Sequence, residues 1–266
     1  MGPVYRSPFT VYAFLSLRPL IYAANWKMHH GPAAARQFAA RFLELTRPLD
    51  ERSLWFFPPC VSLATLVDAF ARRPDIRIGA QNVHWEAKGA FTGCLSVPLV
   101  TEVGATVTLA GHSERRHLFG ETDEQSARTV KAALVGGVTP LLCVGETLAE
   151  REAGHTEDAV RRQLDPVVAI VTEPADRAKV IVAYEPVWAI GTGKNATPRD
   201  AAEVHRFIRT YLARQGWPGG VSVLYGGSVN AGNALALLAE PDLDGVLVGG
   251  ASLTPDGWAE IVGMSA

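Results

Sequence analysis

One carboxylate in the sequence is mounted in a way that suits acid–base chemistry. Glu185 directly follows the run KVIVAY, which is rich in β-branched residues. It directly precedes Pro186 in the segment YEPVWAIGTGKNATP. Proline disfavours helical backbone at the residue before it, so we expect Glu185 to be held in extended geometry. The small residues 191–193 follow, where a loop can bend. A stiffly held acid beside such a loop is typical of a catalytic base beside a lid, whereas a solvated glutamate at a strand end is the simpler alternative.

A histidine stands in a comparable place further up the chain. His112 follows the apolar run VTLAG and opens the polar stretch HSERRH. If a helix begins here, its N–H dipoles disfavour the charged imidazolium and leave a neutral ring for proton transfer. The alternative is a structural histidine. The remaining histidines have no HxxxH or cysteine spacing, so the sequence gives no reason to expect a metal site.

Two polar residues follow the first strand-like run, LIYAAN. Asn25 and Lys27 are two positions apart, so their side chains share one side if the backbone stays extended. A lysine directed at a binding site would favour an anionic substrate, and the alternative is a solvated lysine.

Two glycine-rich turns complete the set of candidate residues. Gly226-Gly227-Ser228 follows the run VSVLY, and Gly249-Gly250 ends the run DGVLVGG. Backbone N–H groups that glycines leave exposed can bind a phosphate, although glycine pairs also serve simply in tight turns. A base, an imidazole, an amide, a lysine and a phosphate cradle together suit proton transfer next to a carbonyl on a small phosphorylated sugar. That chemistry needs no cofactor.

These residues all follow short runs that have the character of buried strands. Eight such runs alternate with helical segments: residues 20–25, 54–57, 76–80, 107–111, 138–143, 179–184, 221–225 and 244–250. Strand–helix alternation predicts a parallel sheet covered by helices, and eight units in about 250 residues fit a closed (β/α)8 barrel of the α/β class. An open doubly wound sheet is the alternative, but no GxGxxG follows the first strand. In such a barrel the active site lies at the carboxyl ends of the strands.

Bulk composition is that of an ordinary soluble protein. The 266 residues are 48% hydrophobic and 20% charged, with a formal net charge of −2, which gives no reason to expect nucleic acid or an anionic membrane as partner. Three cysteines favour reduced thiols and a cytoplasmic location. No apolar run reaches the about 18 residues of a membrane span. We interpret residues 1–17 as a disordered extension and residues 18–266 as one domain.

Five motifs together resemble a known family. NWKM (25–28), GHSERR (111–116), AYEPVWAIGTGK (183–194), YGGSVN (225–230) and GVLVGGASL (245–253) are similar, in order, to motifs of the triosephosphate isomerase family. The likeness is continuous from about Arg18 to the C-terminus. It implies a single-domain (β/α)8 TIM barrel that interconverts dihydroxyacetone phosphate and D-glyceraldehyde 3-phosphate through an enediolate-like intermediate.

The resemblance also implies roles for individual residues. Glu185 would move the proton between carbons, and a neutral His112 would polarise the carbonyl, an assignment carried over from the family. Lys27 and Asn25 would stabilise the charge of the intermediate, while Glu114 would support the catalytic residues without touching substrate. Loop 186–196 would close over the site and exclude water. Four residues would bind the phosphate: Gly191, Ser228, Gly249 and Gly250.

In this family the third loop, here about residues 81–96, inserts into a partner subunit. Thr92 would brace the partner's site, which makes a homodimer the expected assembly. The family's glutamate after FTG, which pairs with the first arginine of SERR, is replaced here by Cys94. Arg115 therefore loses its expected partner and the dimer is expected to be looser, unless a local acid such as Glu86 or Glu102 substitutes.

Two other functions stay open at this point. Barrels similar to this one also act on four-carbon sugar phosphates, so a tetrulose-phosphate isomerase is an alternative, although loop 186–196 has the usual triose-enzyme length. A non-catalytic phosphosugar-binding barrel is the second, and the intact catalytic set argues against it.

Overall fold

A computed structural model describes residues 19–190 and 196–264 of the chain. Within these residues, eight parallel strands close into a barrel in sequence order. The predicted (β/α)8 barrel is therefore confirmed, and the open doubly wound sheet is excluded. The extension predicted at residues 1–17 lies outside the described residues, as does Gly191.

The strands agree closely with the predicted runs. They are Leu20–Asn25 (β1), Arg52–Phe57 (β2), Ile76–Ala80 (β3), Val107–Ala110 (β4), Thr139–Val144 (β5), Ile181–Tyr184 (β6), Val223–Tyr225 (β7) and Gly245–Val248 (β8). The first strand pairs with both the second and the last, through Asn25 opposite Phe57 and Tyr22 opposite Val246, and this pairing closes the barrel.

Helices cover the outside of the barrel. Those described are Pro32–Leu45 (α1), Leu63–Ala69 (α2), Val97–Val103 (α3), Ser113–Phe119 (α4), Asp123–Val135 (α5), Leu148–Glu152 (α6), Thr156–Ile170 (α7), Pro174–Arg177 (α8), Pro198–Arg214 (α9), Ala231–Leu238 (α10) and Pro255–Val262 (α11). Short 3₁₀ turns lie at Cys60–Ser62, Val187–Ala189 and Gly250–Ser252.

The start of α9 shows how local sequence fixes an element next to the site. The Thr197 side chain accepts a hydrogen bond from the Asp200 backbone N–H at 3.1 Å. The Asp200 carboxylate in turn accepts from the Thr197 backbone N–H at 3.0 Å. This reciprocal cap, with Pro198 in the first helical position, satisfies N–H groups that a helix start leaves unpaired. It fixes the start of α9 at Pro198.

Strand side chains alternate between two separate apolar layers. Ile21 and Ala23 of β1 point into the barrel, where they meet Trp55, Leu109 and other interior residues. The alternate residues of each strand face the helices and form the larger core. Cys143 belongs to the interior layer and is fully buried. Because both layers are filled, the strand ends form a rigid platform for the loops that follow them.

Candidate active site

The predicted site residues converge on one cavity at the carboxyl ends of the strands. It has a volume of about 290 Å³. Among its lining residues are Asn25, Lys27, His112, Glu185, Ser228, Gly249 and Gly250. These residues come from five separate loops, so only closure of the barrel brings them together. Gly191, the remaining predicted phosphate ligand, lies outside the described residues.

Glu185 lines the cavity, and both of its carboxylate oxygens have a partner. Its side chain is only 3% exposed. Oε2 accepts a hydrogen bond from the Ser113 backbone N–H at 2.9 Å, and Oε1 lies 3.0 Å from His112 Nε2. Burial alone would raise the pKa of Glu185, but His112 and the Ser113 N–H outweigh burial and lower it. The carboxylate is thus charged and ready to accept a proton.

His112 caps the start of α4, as the sequence predicted. Its Nδ1 accepts a hydrogen bond from the Glu114 backbone N–H at 3.3 Å, so in the neutral ring the proton sits on Nε2, which faces the cavity. Burial lowers the pKa of His112, but the Glu185 carboxylate, with a smaller contribution from Glu114, raises it above its ordinary value. The neutral ring expected from the helix start is therefore opposed by Glu185, which raises the pKa of His112 as long as its carboxylate lies beside the ring.

Asn25 and Lys27 reach the same cavity by a route that differs from the prediction. The backbone at Lys27 is not extended but left-handed, with φ of 50°. The turn is stabilised because Asn25 Oδ1 accepts from the Lys27 backbone N–H at 3.0 Å. Asn25 Nδ2 lies 3.2 Å from His112 Nε2, which places the amide beside the imidazole.

Glu114 contacts the catalytic set more directly than expected. Its Oε1 lies 2.7 Å from Lys27 Nζ, and its Oε2 lies 3.7 Å from His112 Nδ1. Glu114 is therefore an ion-pair partner of the lysine and a neighbour of the ring.

The glycine turns are required for close packing as well as for exposed N–H groups. A Cβ on Gly226 would lie 2.8 Å from Glu185 Cγ, and a Cβ on Gly249 would lie 3.3 Å from Lys27 Cε. Ser228 Oγ donates to the Ala189 carbonyl at 2.6 Å, which links the loop after β7 to the segment after Glu185.

Sequence reasoning missed residues that support the site from outside it. Glu146 is fully buried and accepts hydrogen bonds from Tyr184 Oη at 3.0 Å and Trp188 Nε1 at 2.9 Å. Gln81 Nε2 donates to the carbonyls of Lys27 at 2.7 Å and Phe57 at 2.9 Å. The sequence feature that could have indicated both residues is their position, because each follows the end of a strand by one or two residues.

The residues expected to form the subunit contact lie on the surface, with one correction. Thr92 and Cys94 are exposed. Arg115, expected to lack a partner, has Nε 2.5 Å from Glu121 Oε2. Glu86 instead pairs with Arg128. A local acid therefore takes the place of the lost partner of Arg115, and it is Glu121 rather than Glu86 or Glu102, because the chain turns after α4 and brings Glu121 back to the arginine.

Neither 19–190 nor 196–264 contains a group of three or more His, Cys, Asp or Glu side chains placed to hold a metal ion. Within the same ranges, no helix has the length and apolar character needed to cross a membrane.

Comparison with known proteins agrees with the geometry. The family model described as triosephosphate isomerase matches residues 20–265. A protein of Solibacter usitatus named triosephosphate isomerase is 46% identical over 249 residues, covering 92% of this chain and 99% of its own. Proteins of the same name from Synechococcus sp. (strain RCC307) and Aquifex aeolicus are each 44% identical, covering 92% of this chain and 93% and 99% of their own lengths. The chain belongs to the triosephosphate isomerase family.

Proposed function

We propose that this chain interconverts dihydroxyacetone phosphate and D-glyceraldehyde 3-phosphate, with Glu185 as the base. The observation that carries the proposal is the placement of the Glu185 carboxylate and His112 Nε2, 3.0 Å apart, in a cavity that glycine turns line on another side. A base and a proton donor that face one space can act on adjacent atoms of a bound substrate.

The reaction moves a proton between two neighbouring carbons. Glu185 takes a proton from the carbon next to the carbonyl, while the Nε2–H of His112 hydrogen-bonds the carbonyl oxygen. A substrate oxygen at Nε2 takes the place now held by Glu185 Oε1, so binding separates the two side chains. That separation removes the main influence that raises the pKa of His112, and the neutral ring is then favoured by burial.

Positive charge and oriented amides stabilise the intermediate. Negative charge develops on the substrate oxygens once the proton leaves the carbon. Lys27 Nζ and the Asn25 amide line the cavity and can face these oxygens. Glu114 Oε1, 2.7 Å from the lysine Nζ, holds the ammonium group in place.

The phosphate group of the substrate is placed at the turns after β7 and β8. Ser228, Gly249 and Gly250 line the cavity there, and Gly191 is proposed as a fourth ligand by family resemblance. A phosphate in this position holds the reacting carbons over Glu185, so remote binding contributes to the rate. Because all groups come from the chain, the reaction requires no cofactor.

We further propose a cytoplasmic homodimer. Large apolar side chains are exposed in the segments that follow strands at the carboxyl end of the barrel, including Met28 (93% exposed) after β1 and Phe119 (71% exposed) at the end of α4. Exposed apolar side chains that cluster on one face favour a protein partner. Arg115 is already paired with Glu121, so we no longer expect the Cys94 substitution to loosen the dimer. The three free cysteines are compatible with a reducing compartment.

A coupled assay with purified protein tests the function directly. We expect rapid turnover of both triose phosphates and much lower kcat/KM for a tetrulose phosphate. Preference for the four-carbon sugar would replace the substrate assignment, and binding without turnover of either would show a non-catalytic barrel.

A further inference from the structure

A buried glutamine lies behind the segment that carries the proposed base. Gln163 is on α7 and is 3% exposed. Its Oε1 accepts from the Gly145 backbone N–H at 2.7 Å, and its Nε2 donates to the Gly145 carbonyl at 2.9 Å. Both polar groups of the Gln163 side chain are therefore hydrogen-bonded to the backbone of Gly145.

The pattern of strand pairing explains why Gly145 needs such a partner. β5 pairs with β4 as far as Leu142 opposite Ala110, where β4 ends. On the other side, the Val144 and Glu146 carbonyls accept hydrogen bonds from the β6 segment. The Gly145 N–H and carbonyl face away from β6, where β4 no longer continues. A buried backbone pair must find partners, and the Gln163 amide supplies them in place of a strand.

The backbone that Gln163 holds is in direct contact with Glu185. The Glu185 N–H donates to the Val144 carbonyl at 2.8 Å, and the Val187 N–H donates to the Glu146 carbonyl at 3.1 Å. Between these two bonds, a Cβ on Gly145 would lie 1.8 Å from the Glu185 carbonyl oxygen. Because the two backbone segments pack this closely, a displacement of Gly145 also moves the Glu185 backbone.

We propose that Gln163 is a positioning residue for Glu185. Its amide fixes the Gly145 turn, and this turn fixes the backbone from which the carboxylate projects. Gln163 itself does not line the cavity. Since this role rests on the proposed function of Glu185 as the base, its test includes Glu185 variants.

A double-mutant cycle separates positioning from general stability. Gln163→Met keeps the length of the side chain and removes both hydrogen bonds. We expect kcat for dihydroxyacetone phosphate to fall about 10- to 100-fold, since sub-ångström to 1 Å displacement of a reacting group has effects of this order. KM should change little, because the turns at Ser228, Gly249 and Gly250 are untouched.

Thr129→Val is the matched control for the loss of a buried hydrogen bond. Thr129, on α5, is 2% exposed and donates to the Val83 carbonyl at 3.3 Å, and neither residue lines the cavity. We expect this variant to lose stability but keep the wild-type kcat. If Gln163 acts through the base, the losses from Gln163→Met and Glu185→Asp should be less than multiplicative in the double variant. Multiplicative losses, or a wild-type kcat for folded Gln163→Met, would overturn the role.

A second variant covers the case in which Gln163→Met does not fold. In Gln163→Glu, the protonated carboxyl can still accept from the Gly145 N–H and donate to its carbonyl. The ionised carboxylate cannot donate and meets the carbonyl oxygen instead. We expect kcat to fall with rising pH, in a step that the wild-type profile lacks. An unchanged profile would contradict the role.

The same measurements distinguish failure of this role from failure of the proposed function. Active wild-type protein together with loss of activity in Glu185→Gln keeps the base assignment, whatever the Gln163 variants do. Full activity in Glu185→Gln would overturn the base assignment and with it the role of Gln163.

Discussion

Glu185 Oε1 lies 3.0 Å from His112 Nε2, and the other oxygen of the same carboxylate accepts the Ser113 N–H. The base and the proton donor are thus each other's hydrogen-bonding partners. Their hydrogen-bonding atoms are the ones that the reaction uses, so a substrate must replace this contact to bind. His112 Nε2 then exchanges the carboxylate for a substrate oxygen, and the released Glu185 oxygen faces the carbon that loses the proton, while Oε2 can keep the Ser113 N–H.

The first prediction concerns the phosphate. Glyceraldehyde lacks the group that the turns at Ser228, Gly249 and Gly250 are proposed to bind. We expect kcat/KM at least about 10²-fold below that of its phosphate, since two charge-assisted hydrogen bonds together are worth about 3 kcal/mol or more. Inorganic phosphate should inhibit competitively. Similar kcat/KM for the two aldehydes, measured in one assay, would exclude a phosphate site at these turns.

The second prediction concerns Gly226. In Gly226→Ala the new Cβ would lie 2.8 Å from Glu185 Cγ, so the carboxylate has to shift. We expect kcat to fall about 10²-fold, the order associated with a displacement of about 1 Å. Gly219→Ala is the control, because a Cβ there meets no described atom within 4 Å. If both variants turned over like the wild type, packing against Gly226 would not position the base.

The third prediction concerns acid stability. His205 is fully buried, and burial lowers its pKa from 6.5 to about 3. Below pH 6.5 the unfolded chain binds a proton that the folded chain does not. The free energy of unfolding should therefore decrease, as pH falls from 6.5 towards 3, by up to about 1.4 kcal/mol per pH unit.

Urea unfolding at pH 7 and pH 5, at one protein concentration, measures this contribution. His205→Asn retains a donor for the Asp242 carbonyl, which lies 3.1 Å from His205 Nδ1, and removes the titrating ring. We expect the variant to lose less stability than the wild type between the two pH values. An equal loss would show that His205 does not titrate as described.

The fourth prediction concerns assembly. Phe119→Asp places a charge on the proposed dimer face. We expect the dimer Kd to rise about 10-fold or more, because truncating a central interface aromatic costs about 2 kcal/mol. Val135→Asp is the control, since Val135 is 75% exposed at the end of α5, on the opposite side of the barrel. Sedimentation velocity across a dilution series decides, and equal Kd values for the two variants would contradict the assigned face.

The strands and the convergence of the site could be predicted because barrel geometry imposes them. A strand buried on both faces is a continuous apolar run, and this pattern placed β1 and β3 at their observed bounds. The carboxyl ends of such strands must meet at one face of the barrel. Residues after different strands, such as Asn25 and Glu185, therefore had to be neighbours.

Hydrogen bonds between distant segments could not be predicted in the same way. The left-handed backbone at Lys27 depends on a side-chain bond from Asn25, and the partner of Arg115 depends on how the chain turns after α4. Gln163 has the appearance of an ordinary helix residue, since its function depends on where β4 ends, 53 residues earlier in the chain. The spacing of residue types along the sequence does not indicate such contacts.

Proton exchange with solvent tests the role of Glu185 most directly. Dihydroxyacetone phosphate is isomerised in D₂O by the wild type and by Glu185→Gln, with aldehyde product trapped and its deuterium content measured by NMR. We predict deuterium at the carbon that receives the proton in the wild-type reaction, since a carboxylic acid exchanges with solvent. We also predict that kcat for Glu185→Gln is lower by about 10²- to 10⁴-fold. An unchanged kcat for Glu185→Gln would contradict proton transfer by Glu185.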